Sequence, residues 1–137
     1  MFEKVKELKG VCPICEDERD LIYGKRNEKL KIKQEEIDVE AKVYYCPTGD
    51  HYFSELDDEE EKFQYAYKEY RRRKGLLQPE EIRQIRDKYG LNQKEFARFL
   101  GFGEITIQRY ETGAIQDDAH NTALLLIKDT EGFRRLF

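Results

Sequence analysis

Tryptophan is absent from the 137 residues, methionine occurs once and proline three times. No apolar run approaches the ~20 residues that cross a bilayer. The opening stretch MFEKVKELKG lacks the apolar core of a signal peptide. These absences predict a cytoplasmic protein with no membrane segment. Cysteine is scarce too. Cys12, Cys15 and Cys46 make an odd number, which argues against a closed intramolecular disulfide framework. In a reducing cytosol, a close pair of cysteines points to metal or redox chemistry instead. A basic excess is also missing, since the net charge is −4. Residues 1–54 carry ten basic side chains against twelve acidic, residues 55–78 six against seven, and residues 79–137 nine against ten. Any contact with nucleic acid must therefore come from a local patch. The surplus acid suits a cationic protein partner.

What is present changes character along the chain. Residues 10–54 read as β structure with turns. Ile37, Val39, Ala41, Val43 and Tyr45 alternate with polar neighbours, the pattern of a half-buried strand. Leu30 and Ile32 alternate likewise. Asp20–Tyr23 is a weaker strand, ended by Gly24. From 57 to 74 the period becomes helical, with Phe63, Ala66, Tyr67 and Tyr70 on one face. Acids at its start and Arg71–Lys74 at its end complement the helix dipole. Residues 79–137 read as helices throughout. Pro79 opens the first, Asn92 with Glu95 caps the second, a third runs from Glu104 to Thr112, Ala119–Lys128 makes a fourth, and Glu131–Phe137 a fifth. The expected fold is α+β in two domains. A small antiparallel β domain at 1–54 is joined by a linker helix at 55–78 to an all-α domain at 79–137. Domains this small bury proportionately little surface, so one of them needs a staple.

Cys12-Pro13-Ile14-Cys15 is a C-x2-C knuckle, and Cys46-Pro47 opens a second at the end of the long strand. Two knuckles beside short strands are a zinc-ribbon arrangement. Zinc wants four tetrahedral ligands, and three are cysteines. Gly49 stands where a fourth cysteine belongs. His51 can supply an imidazole in its place, and Asp50 is a harder oxygen alternative. A redox dithiol is the competing reading, but the strand-to-helix context of thioredoxin-like motifs is absent. Four protein ligands leave no open position, so the site reads as structural rather than catalytic. No general base, nucleophile or phosphate loop accompanies it, and no enzymatic activity is expected. His120 reads as a surface or cap residue.

Leu91–Gly101 followed by Phe102–Gly113 has helix-turn-helix spacing. Ala97 is small where two helices cross, and Gly101 allows the turn between them. Ile107 and Tyr110 hold the third helix to the core. Glu104, Ile105, Thr106, Gln108 and Arg109 are left outward or flanking, with Gln93 and Lys94 at the start of the preceding helix. A recognition helix presents such residues to base edges in the major groove. Arg pairs bidentately with guanine and Gln with adenine. The backbone N–H of Gln93 can bind phosphate.

These residues resemble the Xre/Cro-type helix-turn-helix. The chain as a whole resembles the MqsA/YgiT-type antitoxins, which join a YgiT-type zinc finger to that motif. The likeness rests on Cys-Pro-Ile-Cys at 12–15, Val-Tyr-Tyr-Cys-Pro at 43–47, YRRRKGLL at 70–77 with Pro79–Arg83, and the motif at 91–113. It implies a homodimer assembled through the C-terminal domain, autorepression at a palindromic operator in double-stranded DNA, and a toxin partner. Apolar Leu124–Ile127, Phe133, Leu136 and Phe137 exceed one small core and suit the dimer interface. The family's second knuckle is normally C-x2-C, and the chain departs from it at Gly49. The family's recognition arginine falls at Arg109. An asparagine used in one branch falls near Ile105, so base preference does not transfer. The alternative function is a stand-alone zinc-containing helix-turn-helix regulator with no toxin.

Overall fold

Period-two alternation at 37–45 produces the strand it predicts, within a sheet larger than the alternation reveals. β1 (Glu3–Cys12), β2 (Asp17–Ile32), β3 (Glu35–Cys46) and β4 (His51–Phe53) lie side by side in chain order, each antiparallel to the next. The computed structural model describes residues 1–128. In β3, Ile37, Val39, Ala41 and Val43 are buried, while Glu36, Asp38 and Glu40 are exposed.

Two features of the sheet differ from the sequence expectation. Asp20–Tyr23 and Leu30–Ile32 are not separate strands but parts of the single β2, which runs through Gly24. A Cβ at Gly24 would lie 2.4 Å from the Glu3 carbonyl oxygen and 2.6 Å from the Phe2 ring. This glycine permits a close approach by the N-terminal strand instead of ending β2. β1 itself, rich in Lys and Glu, carries almost no apolar alternation, and its first seven residues precede the region read as β. The β2–β3 connection is a two-residue loop, Lys33–Gln34, with φ of 45° and 74°. That is the backbone of a tight hairpin turn, made here without the usual Asn or Gly.

The chain divides into two compact units, Met1–Ala66 and Tyr67–Phe137. The division falls inside α1 (Leu56–Lys74), the helix assigned to the linker. Its expected apolar face is only partly so. Ala66 is buried and Tyr67 and Tyr70 are half-buried, but Phe63 is exposed. One residue earlier, Lys62 is 8% exposed. Its Nζ lies 3.0 Å from Glu28 Oε1 and 2.8 Å from Glu59 Oε2, so its charge is paired where it is buried.

The second unit is built on α2 (Pro79–Lys88), α3 (Gln93–Leu100), α4 (Thr106–Glu111) and α5 (Asp118–Lys128). Asn92 Oδ1 accepts from the Glu95 amide at 2.8 Å, and the Asn92 amide donates to Glu95 Oε1 at 3.0 Å. This is the reciprocal box read from the sequence. Gly101, at φ 75°, ends α3. Leu77, Ile82, Ile85, Phe96, Ala97, Ile107, Tyr110, Leu124 and Ile127 form the core. α4 starts at Thr106 instead of Glu104, because Gly103, Glu104 and Ile105 make a turn closed by the Thr106 amide on the Gly103 carbonyl. Of the apolar run Leu124–Ile127, two residues fill the core, while Leu125 and Leu126 are exposed. Phe133, Leu136, Phe137 and the expected helix at 131–137 lie outside the described residues. No helix among the described residues is long and apolar enough to cross a membrane.

Candidate functional site

Two turns of the sheet bring together residues far apart in sequence. Cys12 ends β1. The following turn is closed by the Glu16 amide on the Cys12 carbonyl, with Glu16 at φ 59°. Inside it the Cys15 amide donates to Cys12 Sγ at 3.4 Å. Cys46 ends β3 and stands opposite His51, the first residue of β4. The ligand atoms of Cys12, Cys15, Cys46 and His51 all lie within 4.8 Å of one another. Cys15 Sγ is 4.0 Å from Cys46 Sγ and 3.8 Å from His51 Nε2, while Cys12 Sγ is 2.9 Å from the same nitrogen. A tetrahedron with metal–sulfur bonds of about 2.3 Å places its corners roughly 3.8 Å apart.

The donor set fits zinc in chemistry as well as in spacing. Burial pushes the Cys12 thiol up, but donation from the Cys15 amide, the His51 ring and the Ile14 amide outweighs it and holds the thiol at about 6. Burial, followed by the neighbouring Cys12 and Cys46, pushes Cys15 up. Three sulfurs packed this closely resist becoming thiolates together unless a cation joins them. Arg19 Nη1, 3.0 Å from Asp17 Oδ2, belongs to a guanidinium that also interacts with Cys15 and adds positive charge at the rim. Asp50 takes no part in the cluster: its carboxylate accepts from the Tyr45 hydroxyl at 2.6 Å. The structure also supplies a reason for glycine at 49. A Cβ there would lie 2.2 Å from His51 Cε1 and 3.0 Å from Cys15 Sγ. A side chain at 49 and the imidazole of His51 compete for the same space.

His120 belongs to the second unit and is not a member of this cluster. It is half-buried, stacked on Phe102 with ring centroids 3.9 Å apart and hydrogen-bonded to the Tyr110 hydroxyl. It is thus a packing residue instead of the surface or cap residue expected.

Around α4, the seven residues singled out for DNA contact fall into two groups. Glu104, Ile105, Gln108 and Arg109 are exposed and Thr106 is half-buried at the helix start, while Ile107 and Tyr110 point into the core. At the start of α3, Lys94 is exposed and its Nζ lies 3.4 Å from Glu104 Oε1. Gln93 is half-buried, and its Nε2 donates to Glu111 Oε1 at 3.2 Å.

That last bond belongs to a clamp the sequence did not reveal. Arg86 Nε donates to Glu111 Oε2 at 2.8 Å, Nη2 donates to Oε1 at 3.0 Å, and Nη1 donates to the Leu91 carbonyl at 3.0 Å. Glu111 holds the Arg86 guanidinium above its ordinary pKa. The two-pronged pair joins α2 to the end of α4, and Gln93 adds α3. Spacing within the helix-turn-helix stretch gives no sign of it, since the partner of Glu111 lies 25 residues upstream.

A family model described as the antitoxin component of bacterial toxin-antitoxin systems, MqsA, matches residues 10–131. No curated protein matches the chain.

Proposed function

Because the chain belongs to the MqsA family of antitoxins, we propose that it neutralises a partner toxin through its N-terminal unit and represses its own operon as a DNA-bound homodimer. In this reading residues 1–54 are the zinc-binding domain and residues 55–78 the linker. Residues 79–137 are the helix-turn-helix domain for DNA binding and dimerisation. Zinc is held by Cys12, Cys15, Cys46 and His51 and is structural, since four protein ligands close the tetrahedron against reactive water.

One observation carries the DNA half: α4 is pinned by Ile107 and Tyr110 while Gln108 and Arg109 stay exposed. A short helix held in this way suits the major groove. Arg109 reads guanine and Gln108 adenine, with Thr106, Glu104 and Ile105 flanking. Lys94 and the Gln93 amide meet phosphate. Exposed Leu125 and Leu126 contribute to the two-fold contact.

Arg109→Ala is expected to cost about 1–3 kcal/mol on the promoter duplex and to relax specificity at one position per half-site. Fluorescence anisotropy against promoter and random duplexes reads both effects. Equal losses on the two duplexes contradict the role assigned to Arg109. For the toxin half, residues 1–66 alone should bind the toxin, and residues 67–137 should keep operator binding but not neutralise. Neutralisation by the C-terminal fragment would refute this division of labour.

A further inference from the structure

Arg71, Gln116 and Asn121 are three of the four buried polar or charged residues among those described. All three lie in the second unit, and they converge on two stretches of backbone. Arg71 belongs to the basic last turn of α1, where a solvated charge is the ordinary expectation. It is instead 2% exposed. Its Nη2 donates to the Gly113 carbonyl at 2.5 Å and to the Ala114 carbonyl at 3.4 Å, and its Nη1 donates to Gln78 Oε1 at 3.5 Å. These acceptors are neutral oxygens, and the Arg71 Nε is buried with no hydrogen-bond partner.

Burial pulls the Arg71 guanidinium below its ordinary pKa, and the charge of Glu80, which makes no hydrogen bond to it, only partly opposes this. Burying a cation whose hydrogen bonds go only to neutral oxygens is costly, and an apolar side chain fills such space at lower cost. Arginine is therefore not explained here by stability alone. What it holds is the exit of α4. Gly113 leaves that helix at φ 121°, and the Ala114 amide returns to the Arg109 carbonyl at 2.9 Å. The two carbonyls gripped by Arg71 thus belong to the turn that caps Arg109. The remaining buried groups tie the facing backbone. Gln116 Nε2 donates to the Leu77 carbonyl at 2.8 Å and to Asn121 Oδ1 at 3.1 Å, and the Leu77 amide donates to the same Oδ1 at 3.0 Å.

We propose that Arg71 is a positioning residue for DNA reading, fixing the C-terminal end of α4 through the Gly113 and Ala114 carbonyls so that Arg109 and Gln108 meet base edges in register. This rests on the DNA reading proposed above. Base-reading geometry tolerates displacements of only about 0.5 Å, so a loosened helix end loses discrimination before it loses charge attraction. Phosphate contacts carry no sequence information and survive the loosening.

The test uses the full chain with Arg71→Met, which keeps the apolar stem and removes the donors, beside Arg71→Lys, which keeps the charge. Anisotropy measures affinity for the promoter duplex and for a random duplex. Arg71→Met is expected to lower the promoter-to-random affinity ratio at least tenfold while random-duplex affinity stays within about threefold. Arg71→Lys should recover part of the ratio, and it alone decides the matter if the methionine variant does not fold. A ratio equal to wild type in the folded variants overturns the proposal, as does an equal loss on both duplexes. Amide hydrogen exchange at residues 106–114, read without DNA, should quicken in the variants, and unchanged exchange also overturns it. Wild-type protein that fails to discriminate its promoter would instead sink the DNA reading, which separates the two failures.

Discussion

Cys46→Ser is expected to empty the metal centre and unfold the knuckle end of the N-terminal unit. Cys46 and Cys12 are fully buried, and with Leu21 they are, among the described residues, the buried members of their hydrophobic cluster. Leu8, Cys15, Tyr44 and Phe53 only lean against it. Three buried side chains are too few to hold the ends of β1, β3 and β4 together. Structural zinc in small modules contributes on the order of 10 kcal/mol of apparent folding energy near neutral pH. Elemental analysis should find one zinc per wild-type chain and a large loss in the variant. Amide exchange should then quicken at Cys12–Asp17 and Cys46–Phe53 while the helices of residues 79–128 keep their protection. His51→Ala should behave like Cys46→Ser, whereas Asp50→Ala should keep the metal, because the Asp50 carboxylate is engaged by Tyr45. A chelator-treated wild-type protein with unchanged exchange at both turns would show that the metal does not hold the unit together.

The cluster of Cys12, Cys15, Cys46 and His51 was legible because its signal is local: a two-residue gap between cysteines, then a cysteine and a histidine five residues apart. β3, α2 and α3 were legible for the same reason, each announced by its own period, cap residue or terminating glycine. The misread parts depend on distant chain. Gly24 looks like a strand end until the Glu3 carbonyl is placed against it. Lys33–Gln34 carries no turn signal, because its positive φ values are sustained by the pairing of β2 with β3 on either side. On α1, period alone cannot tell that Lys62 is buried by its pairing with Glu28 while Phe63 is left outside. Around α4 the exposed residues could be named from spacing. The groups that hold them still, Arg86 on Glu111 and Arg71 on Gly113, join residues 25 and 42 positions apart.

Phe96→Ala is expected to remove most of the stability of the second unit. Phe96 is fully buried on α3, among Ile82 and Ile85 of α2, Ile107 and Tyr110 of α4, and Leu124 and Ile127 of α5. Truncating such a ring costs about 3–5 kcal/mol, as lost transfer energy plus a cavity its neighbours cannot close. A unit of this size holds only about 4–10 kcal/mol in total, at roughly 0.05–0.15 kcal/mol per residue. Denaturant titration followed by far-ultraviolet circular dichroism should therefore show the helical transition at much lower denaturant, with promoter binding falling alongside it. Zinc content should stay at the wild-type level, because no metal-site residue belongs to this core. Leu125→Ala is the contrasting change. That side chain is 43% exposed, so its removal leaves no internal cavity. Its effect should appear as a weaker dependence of the melting temperature on protein concentration, the signature of a loosened dimer. A melting temperature independent of concentration in both wild type and Leu125→Ala would exclude the dimer contact assigned to this face. A Phe96→Ala transition within 1 kcal/mol of wild type, by the same titration, would show that α3 does not organise this core.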